Sequence, residues 1–272
     1  MQPSDLPAGW DAAQNLHRLK AVLGQGKALT VVTERAVDAV LERARSLLRH
    51  AARPTRVVQR AWPETGDLDL DATLDRPRRI PVDGRKAPWE PRDIVVTNPE
   101  PRDADVVAVL DMSLSMTGEK IALVAVAAAI LRMKLDNVAI VAFDTNAHTL
   151  VRLGEDLPIR ELIQRVLMVP AQGYTHISAG LEAGLEQLRR SRRRERVGLL
   201  LSGGIANVGW DPIRVAGRYP QLHVVQLGRP LPQGNKACIG MARAGRGRRF
   251  QAPTYVALPD VVKRVIREVF RV

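Results

Sequence analysis

The stretch VVAVLDMSLSMTGEK, residues 106–120, decides how this chain is read. Val106 to Leu110 is an unbroken apolar run rich in β-branched residues, the pattern of a strand buried on both faces. The run stops at Asp111, Ser113 and Ser115 follow at alternate positions, and Gly118 opens a helical segment. A tight loop of this kind aims three oxygen donors at one point. A hard divalent cation such as Mg²⁺ takes about six oxygens at roughly 2.0–2.1 Å, from carboxylates, hydroxyls and retained waters. The N-terminus of the following helix adds a positive dipole for an anionic partner. The plainer reading is that Asp111 ends the strand and the serines make local turn hydrogen bonds.

Downstream, strands and helices alternate. Lys120 to Leu135 is a helix apolar on nearly all sides, as in one sandwiched between a sheet and neighbouring helices. Val138 to Phe143 is a second strand, and Asp144-Thr145-Asn146 turns the chain into Ala147 to Leu153 as a hairpin partner. Helices are predicted over Leu157–Val169, Ile177–Arg190, Asp211–Tyr219, Ala237–Ala244 and Pro259–Phe270, and strands over Val197–Leu201 and Leu222–Leu227. The fold class is therefore α/β: a doubly wound, mostly parallel sheet with one antiparallel edge strand, preceded by a helical and extended N-terminal segment.

Upstream, residues 1–9 are proline-rich and read as loose. Apolar residues at intervals of three and four between Trp10 and Ala52 indicate two helices, separated by Gly24 and Gly26, with Thr33-Glu34 as the start of the second. GQGK, residues 24–27, lacks the spacing and the hydroxyl residue of a phosphate-binding loop and is a turn. Residues 53–103 are rich in proline, and GDLDLDATL, residues 66–74, alternates acids with apolar residues, a strand or linker rather than a calcium loop. This divides the chain into a helical segment at 1–52, a linker with short strands at 53–102 and a main domain at 103–272.

The composition, 46% hydrophobic and 26% charged, is that of a globular chain with a sizeable core. One cysteine, Cys238, excludes an internal disulfide and suits a reducing compartment. No signal-like segment opens the chain, and the longest apolar run, Ile121 to Leu131, is too short to span a bilayer. A cytoplasmic protein with no membrane contact is expected. The net charge of +12 comes largely from arginines, concentrated in RRSRRRER at 189–196 and again at Arg243, Arg246, Arg248 and Arg249. Such clusters attract phosphate or acidic surfaces, or simply form a solvated face; aromatics, at 4%, supply no stacking stripe.

The order of these features resembles the von Willebrand factor A family, over residues 103–272. The resemblance rests on D-x-S-x-S at Asp111, Ser113 and Ser115, on the hairpin that follows the second strand, and on two later loops. It implies a metal-ion-dependent adhesion site (MIDAS) completed by a loop threonine, which is Thr175 in Gly173-Tyr174-Thr175-His176. It also implies an aspartate after the fourth strand, where this chain has Ser202-Gly203-Gly204. Gly203 stands in the aspartate position and removes one carboxylate, so the motif is degenerate. The expected metal ligands are Asp111, Ser113, Ser115 and Thr175, for Mg²⁺ or Mn²⁺, with Asp144 as a nearby charge.

GDLDLDATLDRPRR, residues 66–79, is similar to the segment preceding the A domain in bacterial CoxE-like proteins associated with MoxR-type AAA+ ATPases. That resemblance implies a non-enzymatic adaptor that binds an acidic group of a protein partner, the ATPase or its client, during assembly or maturation of a complex. No G-x-S-x-G elbow, phosphate loop or clustered His/Cys set points to catalysis or to another metal; His176 is expected to be a loop hydrogen-bonder. The alternatives are a nucleic-acid-associated protein using the arginine clusters and a chelatase-type subunit.

Overall fold

The computed structural model describes residues 8–48, 55–61, 67–76, 89–101, 104–116 and 118–269. Two helices come first, α1 (Gly9–Leu23) and α2 (Lys27–Leu48), followed by β1 (Thr55–Ala61), β2 (Asp67–Leu68), α3 (Leu70–Asp75) and β3 (Val95–Pro101). The main alternation runs β4 (Ala104–Asp111), α4 (Glu119–Lys134), β5 (Asn137–Phe143), β6 (Ala147–Val151), α5 (Ile159–Leu167), α6 (Ile177–Arg189) and β7 (Glu195–Ser202). It closes with α7 (Pro212–Ala216), β8 (Leu222–Leu227), α8 (Pro232–Ala244), β9 (Arg246–Ala252) and α9 (Leu258–Val269).

The main sheet has the order β6-β5-β4-β7-β8-β9. All its pairings are parallel except that of β6 with β5, which is antiparallel and forms one edge. This is the α/β sheet read from the sequence, with the edge hairpin in its expected place. Every residue of β4 is buried because strands flank it on both sides and helices cover both faces. A separate small antiparallel sheet, β1-β3-β2, leads into β4.

Helix α4 is buried without a break from Ile121 to Leu131, so it has no solvent face. One side lies on the sheet; the rest is covered by α1, α2, α5 and α9. The side chains of α1 and α2 that achieve this, among them Leu16, Val32, Ala36 and Val40, belong to the same apolar cluster as α4 and β4. The helical pair is thus a third layer on the domain. Arg160 of α5 pairs with Asp38 of α2 at 2.5 Å, and the Arg43 guanidinium stacks 4.6 Å from the Trp10 ring centroid, both at the periphery of that layer.

Several boundaries differ from the sequence reading, each for a local reason. Gly9 already belongs to α1; residues 1–7 and Phe270 lie outside the described residues. Helix α2 starts at Lys27, not Thr33: Gly24, at φ 62°, ends α1, and the Thr30 N–H bonds back to the Gly26 carbonyl, so helical bonding begins directly after the turn. Leu70 to Asp75 is helix rather than strand because Asp69 caps it, its carboxylate accepting the Ala72 N–H at 2.9 Å. Helix α8 begins at Pro232, five residues before the predicted start, with proline in the first turn. Strand β9 has no counterpart in the sequence reading; it carries Arg246, Arg248 and Arg249 at the sheet's second edge.

Beside β9, His223 is 2% exposed on β8. Its Nδ1 accepts the backbone N–H of Arg248 at 3.0 Å, which requires the neutral ring, and its centroid lies 6.1 Å from that of Phe250. Burial, then the Arg248 charge, push its pKa down to about 4. The folded state therefore binds this proton less readily than the unfolded chain. Stability present above the ordinary histidine pKa is lost as pH falls from about 6.5 towards 4. Urea denaturation across that window should show wild type losing stability more steeply than His223→Gln.

Candidate metal-dependent adhesion site

Asp111 is the last residue of β4, and strand pairing fixes it opposite Phe143 of β5. The Met112 N–H continues the ladder to the Phe143 carbonyl, after which the loop turns away. The Asp111 side chain is held at both oxygens: Oδ1 accepts the Ser113 N–H at 3.1 Å, and Oδ2 accepts the Ser202 hydroxyl at 2.7 Å. Asp111 thus makes the turn bond of the plainer reading and still keeps lone pairs for a ligand. It is 5% exposed, and no cationic side chain is paired with it among the described residues. Burial is the largest effect on its pKa and raises it; bonds from Ser202 and Ser113 oppose this, and the Asp144 charge adds to it. A buried carboxylate in this state gains from a cation more than an exposed one does.

The other donors converge on the same place. Ser113 Oγ and Ser115 Oγ are 3.5 Å apart, slightly wider than the edge of about 3 Å expected between neighbouring oxygens around an octahedral Mg²⁺. Asp111, Ser113, Ser115 and Thr175 line one cavity of about 740 Å³ at the carboxyl ends of the strands, together with Gly173, Gly203 and Asn207. Three backbone bonds stitch its loops together: Leu114 N–H to Gly173 O, His176 N–H to Asp144 O and Asn207 N–H to Thr175 O. Gly173 permits this closeness. Its φ is 86°, and a Cβ there would sit 2.6 Å from Thr145 Oγ1. All four ligands expected from the sequence are brought together.

Asp144 lies beside this group without lining the cavity. Its Oδ1 accepts the Asn146 N–H at 2.9 Å, so it makes the hairpin turn while its charge reaches Asp111. His176 is a loop hydrogen-bonder, with Nδ1 3.0 Å from the Thr145 carbonyl and its ring edge-on to Trp210 at 4.9 Å. Of the GQGK segment, Gly24 to Gly26 form the turn between α1 and α2, and Lys27 opens α2.

Sequence reasoning did not find Ser202, Lys120 or Tyr255. Ser202 orients Asp111. Lys120 Nζ donates to the Ser115 carbonyl at 2.6 Å and sits 4.9 Å from the Tyr255 ring centroid, while the Tyr255 hydroxyl donates to Met116 Sδ at 3.3 Å. Burial, then the Asp111 charge, raise the Tyr255 pKa to about 12. Leu114 and Tyr174, on the cavity wall, are 66% and 64% exposed. The centre is polar and its rim apolar.

The donor chemistry fits a hard cation: oxygens only, one buried carboxylate and hydroxyls at suitable separation. Among the described residues no group of three or more His, Cys, Asp or Glu side chains is placed to hold a metal, so the hydroxyls are indispensable to such a site.

A family model described as "VWA domain containing CoxE-like protein" matches residues 10–208. The chain belongs to this family. The match begins in α1 and includes the helical layer as well as the site. Among solved structures, a von Willebrand factor type A protein from Catenulispora acidiphila is 16% identical, with 65% of this chain and 45% of that one covered, at a TM-score of 0.52. An aerotolerance-related membrane protein from Bacteroides fragilis is 15% identical over 61% of this chain and 99% of the other, at 0.51. Proximal thread matrix protein 1 from the mussel byssus, with a zinc-occupied MIDAS motif, is 18% identical over 60% of this chain and 47% of its own, at 0.50. At these identities the likeness is one of fold. No curated protein matches the chain in sequence.

Gly203, where the resemblance leads to the expectation of an aspartate, has no left-handed backbone; the neighbour that does is Gly204, at φ 84°. A Cβ on Gly203 would meet only the Leu227 carbonyl, at 3.8 Å. Gly203→Asp should therefore fold with a melting temperature close to wild type, and calorimetric titration should show tighter Mg²⁺ or Mn²⁺ binding, because Gly203 lines the same cavity and an added carboxylate there brings negative charge near the ion. Unchanged metal affinity in a folded variant would mean that the four oxygens do not surround an ion.

Proposed function

We propose that this chain is a non-catalytic VWA interaction module that grips an acidic group of a protein partner through a divalent cation. Asp111, Ser113, Ser115 and Thr175 would hold the ion, Mg²⁺ or Mn²⁺, and the ion would supply a Lewis-acidic position for the partner's carboxylate. The observation that carries this reading is the convergence of the four donors on one open cavity. A mussel protein of the same fold carries zinc at its own MIDAS, which supports a divalent ion here.

Charge makes the reading specific. With Gly203 where an aspartate is expected, Asp111 is the one carboxylate lining the cavity among the described residues, so a dication there keeps positive charge against its own ligands, reduced by Asp144 nearby. An incoming carboxylate offsets the remaining positive charge, and Lys120 beside Ser115 strengthens the positive field. Exposed Leu114 and Tyr174 give the partner apolar contacts around that polar centre, the arrangement of a binding hot spot rather than a reaction site.

In this proposal the partner is a MoxR-type AAA+ ATPase or its client, and the module acts in the assembly or maturation of another complex in the cytoplasm. The resemblance of residues 66–79 to the segment preceding such A domains supports it, as does a family match that extends over those residues. No helix among the described residues is long and apolar enough to cross a membrane.

Asp111→Asn tests the proposal with little disturbance, because the amide oxygen can still accept a hydrogen bond while the charge is lost. Binding of the purified MoxR-type ATPase from the same host, measured with Mg²⁺, should weaken at least about tenfold in the variant, a loss of about 1.4 kcal/mol. Chelator should weaken wild type equally. Equal binding by two well-folded proteins, unaffected by chelator, would reject a metal-mediated contact.

A further inference from the structure

The sequence places its arginine clusters far apart, at 189–196 and 243–249; the fold makes them one surface. Strands β4, β7, β8 and β9 are parallel neighbours, paired at their starts as Ala104 with Glu195, Gly198 with Leu222 and Leu222 with Arg246. The segments that enter β7, β8 and β9 therefore share one end of the sheet, opposite the Asp111 cavity. With strands about 4.8 Å apart and β7 starting three residues before the Gly198 that is level with Leu222 and Arg246, the first residues of β7 and β9 are about 14 Å apart.

The surplus positive charge on this face is not neutralised internally. Several nearby carboxylates pair with other arginines: Asp105 with Arg193 at 3.4 Å, Glu186 with Arg190 at 3.4 Å, Glu182 with Arg218 at 3.1 Å and Glu268 with Arg248 at 3.6 Å. Arg189, Arg192, Arg194 and Arg243 are exposed and have no acidic partner among the described residues. The buried Nε of Arg196 has no acceptor. Arg246 has a φ of 54°, where its glycine neighbours would be unstrained, and its guanidinium bonds to the Tyr219 and Pro220 carbonyls, tying the entry of β9 to that of β8. Helices α6 and α8 end here, and their dipoles favour one or two cations each; that does not account for Arg192 and Arg194, which lie beyond the helix.

The surroundings identify the ligand. None of the large apolar residues that are exposed lies in 189–196, 217–221 or 243–249. A protein interface has an apolar core and a membrane-surface site inserts apolar side chains; this face has neither. Phosphodiesters need only cationic donors, and the arginine fork matches them. With no exposed aromatic here to stack on unpaired bases, the fit is to a duplex. We propose that the strand-entry face of this chain binds the phosphate backbone of duplex nucleic acid, DNA or RNA, without reading sequence and without the metal site.

Fluorescence anisotropy with labelled 20-base-pair DNA and RNA duplexes tests this on the full chain. Wild type should bind at 50 mM salt, weaken steeply as salt rises, and be indifferent to chelator and to Asp111→Asn. The combined variant Arg189→Ser, Arg192→Ser, Arg194→Ser, Arg243→Ser should bind at least tenfold more weakly. Its log–log salt slope should be shallower by about three to four, close to one for each phosphate that is no longer neutralised. The double variant Arg192→Ser, Arg194→Ser should fall between them, and it decides the matter if the fourfold variant does not fold. Any of these results would overturn the proposal: no duplex binding at 50 mM salt, equal binding by the variants, or preference for a single strand of equal length or for phosphatidylserine vesicles.

Discussion

Helix α4 has no face that tolerates water, and the architecture follows from that. Eleven consecutive buried residues, from Ile121 to Leu131, need apolar cover all round. The sheet covers one side. The α1–α2 pair, with α5 and α9, covers the remainder, so the N-terminal helices serve as an outer wall of the same core. Ala122, Ala125 and Ala127 to Ala129 keep the helix slim enough for close packing on both sides. Fixing α4 also fixes the loop before it: Lys120, in its first turn, clamps the Ser115 carbonyl, and that loop carries the metal donors.

Residues whose role is set within a short span were legible in the sequence. The β4 run, the D-x-S-x-S loop, the edge hairpin and Thr175 each carry their signal within a few positions, and the structure assembles them as expected. Signals borne by charged or long-range partners were not legible. In β9 the inward alternation is reduced to Phe250 and Ala252, because the other positions hold arginines, glycine and glutamine; the segment reads as a charge cluster. The short α3 alternates acid and apolar residues as a strand does, and only the Asp69 cap reveals the helix. Ser202 and Tyr255 reach the site across many residues of chain, and no local pattern announces that a serine will hold Asp111 or that a tyrosine will sit beside Met116.

A parallel sheet is directional, and this chain uses the two ends for opposite chemistry. The strand exits collect oxygen donors suited to a cation; the strand entries collect arginine donors suited to an anion. At the cation end Gly203 lines the cavity without a side chain, and the space a Cβ would take there is open except for the Leu227 carbonyl at 3.8 Å.

The sheet ends at β9, and an outermost strand offers unpaired backbone groups to any strand that approaches. Here the outermost strand carries exposed Arg246 and Arg248. Two copies meeting edge to edge would bring these arginines close together, with only Arg248 partly offset by Glu268 at 3.6 Å, so like-charge repulsion opposes pairing through this edge. That barrier is ionic and weakens with added salt. The colloidal behaviour of the chain thus depends on the medium: molecules repel in dilute buffer and lose that protection as the ionic atmosphere thickens.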